Sequence, residues 1–93
     1  MKKKLRKIRT ELVQGKVEVS ICKQEYLFMV VAEGDESLLW KLKKKLEWDT
    51  QVLKKGLFDQ PMIVIGSCDE FSSAKSIFRD TIWNLNQELK KWK

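Results

Sequence analysis

Residues 13–32 read VQGKVEVSICKQEYLFMVVA, and the fold turns on how they divide. Gln14-Gly15 looks like the centre of a tight hairpin, because glycine supplies the positive φ that two-residue turns require. Beyond it Val17, Val19 and Ile21 alternate with Glu18, Ser20 and Cys22, the period of a strand with one buried face. Lys23-Gln24-Glu25 is a short polar connection. Tyr26 to Ala32 is then apolar at every position, as a strand buried on both faces requires.

Upstream of the turn, Leu5, Lys7, Arg9, Glu11 and Val13 share one side of an extended chain, and Arg6, Ile8, Thr10 and Leu12 share the other. This predicts a first strand over about residues 5–13, with residues 1–4 fraying as a basic arm. A charged edge strand also resists pairing with other chains.

Downstream, Glu33-Gly34-Asp35 ends the third strand. Asp35 suits a helix N-cap, and Glu36 puts an anion where the helix dipole favours one. The helix is expected to run to about Lys55, closed by Gly56. Leu38, Leu39, Leu42, Leu46 and Leu53 form its apolar stripe, with Asp49 oddly close to it. Residues 57–61 read as a loop, and Met62 to Ile65 as a short buried strand. Ser67 and Glu70 have the spacing of a capping box. A second helix is expected from about Glu70 to Lys91, with Phe71, Ala74, Ile77, Phe78, Ile82, Leu85 and Leu89 inward. The order is β-β-β-α-β-α. A strand–helix–strand unit normally returns a parallel strand. The expectation is therefore an α+β fold: a mixed four-stranded sheet, made of an antiparallel meander plus one crossover strand, packed with two long helices. Its 93 residues suit a single domain.

Hydrophobic residues make up 43% and charged residues 34%, an ordinary globular balance. The net charge is +6, yet it is not spread evenly. Six of the 19 Lys and Arg lie within residues 1–9, which leaves 13 against the 13 Asp and Glu of the remainder. The basic character belongs to the start of the chain. Leu5-Arg6-Lys7-Ile8-Arg9 denies that start the apolar run of a secretion signal. The apolar run from Tyr26 to Ala32 is too short to span a bilayer. The expectation is a cytoplasmic protein, and free thiols at Cys22 and Cys68 agree with it.

Four tryptophans carry the functional signal. Trp40 and Trp48 fall off the leucine stripe of the first helix, beside Lys44, Gln51 and Lys55. Trp83 falls off the stripe of the second helix, near Arg79, Asn86 and Lys90, while Trp92 either follows the core stripe or frays. Indoles flanked by cations suit nucleic acid, since lysines neutralise phosphates and aromatic faces stack on unpaired bases. The arm, Lys2, Lys3, Lys4, Arg6, Lys7 and Arg9, would add phosphate contacts. They equally suit a protein partner or a homodimer, because Trp dominates interface hot spots. The Lys41, Lys43, Lys44, Lys45 cluster favours nucleic acid, although it also fits an ordinary solvated face. Catalysis is not expected, and no cofactor is implied. The chain has no His, and a phosphatase-type loop would need Arg where Ala74 stands after Cys68. Gly66-Ser67, before the second helix, also has the composition of an anion-holding loop. The reading is a small non-enzymatic binding module, a regulatory or accessory factor.

One stretch resembles a known family. Val30-Val31-Ala32-Glu33-Gly34-Asp35, followed by a helix and Ile63-Val64-Ile65-Gly66-Ser67-Cys68-Asp69, is similar to a Toprim domain. The resemblance covers about 40 residues. It implies Glu33 and Asp69 as magnesium ligands for phosphoryl transfer. The family's second aspartate would fall at Phe71 or Ser67, neither of them acidic. A turn feeding an N-cap explains Glu33-Gly34-Asp35 more simply.

Overall fold

The structure, a computed structural model, describes residues 6–53 and 60–91. It is an α+β fold with the order β1 (Arg6–Val13), β2 (Val17–Gln24), β3 (Leu27–Gly34), α1 (Glu36–Leu46), β4 (Val52–Leu53), β5 (Met62–Cys68) and α2 (Phe71–Lys90). The five strands form one sheet in the order β1-β2-β3-β5-β4, and every neighbouring pair is antiparallel. No helix among the described residues is long and apolar enough to cross a membrane.

The first hairpin forms as its sequence requires. Gln14 and Gly15 take φ of 54° and 65°, and the Lys16 N–H donates to the Val13 carbonyl at 3.0 Å. Positive φ at both central residues matches the right-handed twist of the strands it joins. The β2–β3 pair then runs in unbroken register from Val17↔Gly34 to Gln24↔Leu27. Gly34 is needed for packing, since a Cβ there would stand 3.0 Å from the Lys16 carbonyl oxygen.

Several expectations are corrected. The sheet has five strands, not four, and it is antiparallel throughout rather than mixed. The strand that α1 returns parallel to β3 is β4, and β5 then inserts between the two, antiparallel to both. The crossover rule therefore holds for a two-residue strand too short to be seen as a hydrophobic run. The first helix is also shorter than expected. It begins as predicted, with the Leu38 N–H donating to Asp35 Oδ2 at 3.2 Å, but it stops at Leu46. Glu47 turns left-handed at φ 56°, and the Trp48 N–H reaches back to the Lys43 carbonyl at 3.0 Å. Lys43, Lys44 and Lys45 fill the last turn, where cations are favoured by the helix dipole. Past the stop, Thr50 donates its hydroxyl to the Val64 carbonyl, and Val52 is buried opposite Ile63. Lys55, Gly56 and the loop at 57–59 lie outside the described residues. Ser67 does not cap the second helix, and Gly66-Ser67 is not a loop. Both belong to β5, and Glu70 is the N-cap, with no side-chain cap bond.

Both helices lie on one face of the sheet. Leu39 and Leu42 of α1, with Ala74, Phe78, Leu85 and Leu89 of α2, pack on Val17, Val19, Ile21, Val30, Ala32 and Ile63. Phe71, expected in the core, is 38% exposed. On the opposite face Cys22, Val31 and Met62 are also fully buried. Glycine carries no Cβ penalty in a left-handed helix cap, where other residues lose roughly 1 kcal/mol. Glu47→Gly is therefore expected to stabilise the protein by up to about 1 kcal/mol, read as a higher urea midpoint at unchanged m-value.

Candidate functional site

Register decides where each cation of β1 goes. Lys7 pairs with Cys22 and Arg9 with Ile21, so Ile8 is an extra residue in the strand, a β-bulge. The bulge breaks the expected alternation. Lys7 does not share a side with Arg9. It turns to the face of Cys22 and Ser20, and Arg6 and Arg9 both turn to the face that carries the helices.

On the first of these faces Lys7 is engaged inside the protein. Its Nζ lies 2.6 Å from Glu18 Oε2 and 2.7 Å from Glu33 Oε1. Glu18 and Glu33 are direct cross-strand partners, and the Glu33 side chain is fully buried. Gln60 Nε2 donates to Glu33 Oε2 at 2.8 Å. Glu33 Oε1 faces the ammonium in an ion pair. The Thr10 and Ser20 hydroxyls meet at 3.0 Å beside it. Burial by itself would lower the Lys7 pKa. The hydrogen bonds that the ammonium donates to Glu18 and Glu33, with the charge of both carboxylates, outweigh it and hold the amine above its usual value. Burial pushes the Cys22 thiol up to about 11, Lys7 opposing and Glu33 adding to the shift.

On the helix face, among the described residues, the cations beside β1 and α2 have no ion-pair partner. Arg6 stands opposite Lys23, a like-charged cross-strand pair. Arg9 and Glu11 form one wall of a groove of about 540 Å³, and Lys75, Arg79, Trp83 and Asn86 of α2 form the other, over Phe78 and Ile82. Phe71, Lys75, Arg79 and Trp83 follow one another at i, i+4 spacing along that side of the helix. At one end of α2 Gln14 Nε2 donates to Asn86 Oδ1 at 2.7 Å. At the other, the Phe28 and Phe71 rings meet at 5.6 Å, with Lys23 over the first and Lys75 over the second. Among the described residues, none of Arg6, Arg9, Lys23, Lys75 and Arg79 has a carboxylate partner. Trp83 is 63% exposed.

The other sequence candidates lie elsewhere. Trp40, 49% exposed, shares a separate cleft at the end of α1 with Lys43, Lys44, Glu47 and Trp48. Lys43 donates to the Trp48 carbonyl at 2.8 Å, and the Trp48 ring is half-buried against the core because the helix has ended before it. Lys90 is exposed in the last turn of α2. Lys2, Lys3, Lys4, Lys55 and Trp92 lie outside the described residues. Sequence reading missed Lys23 and Lys75. The signal for Lys75 was the four-residue spacing through Arg79 to Trp83.

The Toprim resemblance does not survive the topology. Phe28 pairs with Cys68 and Glu33 with Met62, so Glu33 and Asp69 stand at opposite ends of an antiparallel pair. Among the described residues no three His, Cys, Asp or Glu side chains cluster as metal ligands. No family model, no curated protein and no solved structure matches the chain.

Removing one partner of a buried ion pair costs roughly 3–5 kcal/mol. Lys7 is partly exposed, so Lys7→Met is expected near the lower end of that range by urea unfolding. The pH dependence has a definite sign. Cys22 and Lys7 both have raised pKa values in the folded state, so their contributions are complete below the unfolded values of 9.0 and 10.5 and fade as pH rises. Thermal midpoints should fall from pH 9 upward, and Cys22→Ala should flatten the fall between pH 9 and about 11.

Proposed function

We propose that the protein is a non-enzymatic module that binds nucleic acid along the groove between β1 and α2. One observation carries this reading: Arg6, Arg9, Lys23, Lys75 and Arg79 gather on one face without carboxylate partners, beside an exposed indole. Unpaired like charges held this close raise the local potential and favour a polyanion that brings its own compensating charge. Glu11 is the single carboxylate in the groove's lining. In sequence Lys2, Lys3 and Lys4 precede Arg6 by two to four residues. Lys7 is left out of this surface, because its charge is taken up by Glu18 and Glu33.

A second reading rests on Trp40. Its half-exposed ring stands beside Trp48, and the charge of Lys43 is already directed to a backbone carbonyl. That cleft is more apolar than the groove and suits a protein partner or a second copy of the chain.

Each phosphate contact contributes about 0.7–0.9 to the slope of log K against log salt. Arg9→Ala and Arg79→Ala should each lower the slope by about that amount in anisotropy titrations with a mixed-sequence oligonucleotide. Lys7→Arg should leave the slope unchanged. Slopes that do not respond to the groove substitutions would sink the reading, and would turn attention to sedimentation of Trp40→Ala.

A further inference from the structure

Building on the nucleic-acid reading, we infer that the groove takes a single strand rather than a duplex, laid along α2 between aromatic stations at Trp83 and Phe71. The shape of the surface argues this first. Charge lies on both walls of a valley, Arg9 on the strand side and Lys75 and Arg79 on the helix side. A backbone lying in the valley meets both walls at once. A duplex is a stiff rod, and it meets the rims of a valley rather than its floor. The helix cannot rise out of the protein to enter a major groove. It is held to the sheet at Ala74, Phe78, Thr81, Leu85 and Leu89, along its whole length.

The aromatic residues argue it second. The exposed side of α2 places a ring, two cations and a ring in succession, at Phe71, Lys75, Arg79 and Trp83. Twelve helical residues span about 18 Å, a distance that several nucleotides of an extended strand cover. Rings offer stacking faces to unpaired bases. In a duplex those faces are already stacked on one another, and Trp83 would gain nothing from them. The two cations between the rings fall where the connecting phosphates pass. Lys23 and Lys75 lie against Phe28 and Phe71, so the lower station carries positive charge as well.

The test uses the full chain with two labelled probes, an oligothymidylate of about eight nucleotides and a hairpin duplex of matching length. The single strand should bind more tightly and quench tryptophan emission. Trp83→Ala should weaken that binding on the order of 10–100-fold and leave duplex binding unaltered. Trp83→Phe, which keeps a stacking face, should retain most of the affinity and lose most of the quenching. Duplex binding as tight as that of the single strand, or single-strand affinity unmoved by Trp83→Ala, overturns this inference and leaves the broader reading standing. A loss in Trp40→Ala equal to that in Trp83→Ala moves the strand to the other cleft and also overturns it. Failure of both probes to bind overturns this inference and the nucleic-acid reading together.

Discussion

Glu18 and Glu33 face each other on adjacent strands, and one ammonium, from Lys7, lies between them. Two carboxylates directly opposite on a sheet repel, and one of these is fully buried. Without a cation at that point the centre of the meander would carry an uncompensated charge. Lys7 reaches it only because Ile8 bulges out of β1 and rotates the strand's first residues. The same rotation turns Arg6 toward the helices, where the hairpin register already places Arg9. One local irregularity thus satisfies the interior and adds Arg6 to the charged outer surface.

This separates the cations of a strand that looks uniformly basic in sequence. Lys7 is structural and is held above its usual pKa by its partners. Its neighbours on the other face have no such partners, and register sets one of them against Lys23. A fold under no other demand would relieve that like-charge pair with a nearby Asp or Glu. Among the described residues no Asp or Glu forms an ion pair there.

Much of the architecture was legible in short-range chemistry. The Gln14-Gly15 turn, the alternation of Val17, Val19 and Ile21, and the Asp35 cap each follow from residues that meet locally. What was not legible depends on partners far along the chain. No periodicity announces the bulge at Ile8, whose reason lies at Glu33. Val52–Leu53 is too short to register as a strand until Ile63 and Met62 are opposite it. The end of α1 is marked in the sequence by the same lysines that form the Lys41, Lys43, Lys44, Lys45 cluster: three of them, Lys43, Lys44 and Lys45, occupy the last turn of a helix whose next residue turns left-handed. For the site, helix spacing gave Arg79 and Trp83, whereas the union of Arg9 with α2 required the sheet.

The insertion of β5 between β3 and β4 also sets an order of events in synthesis. Residues 6–34 can pair locally as soon as they leave the ribosome, whereas the outer edge of β3 waits for residues 62–68. During that interval the chain presents an open strand, Leu27-Phe28-Met29-Val30-Val31-Ala32, with the composition of an aggregating segment. Lys23 and Glu25 stand just before this segment and Glu33 and Asp35 just after it, flanking charges of the kind that act as gatekeepers for a strand that must stay uncovered longest.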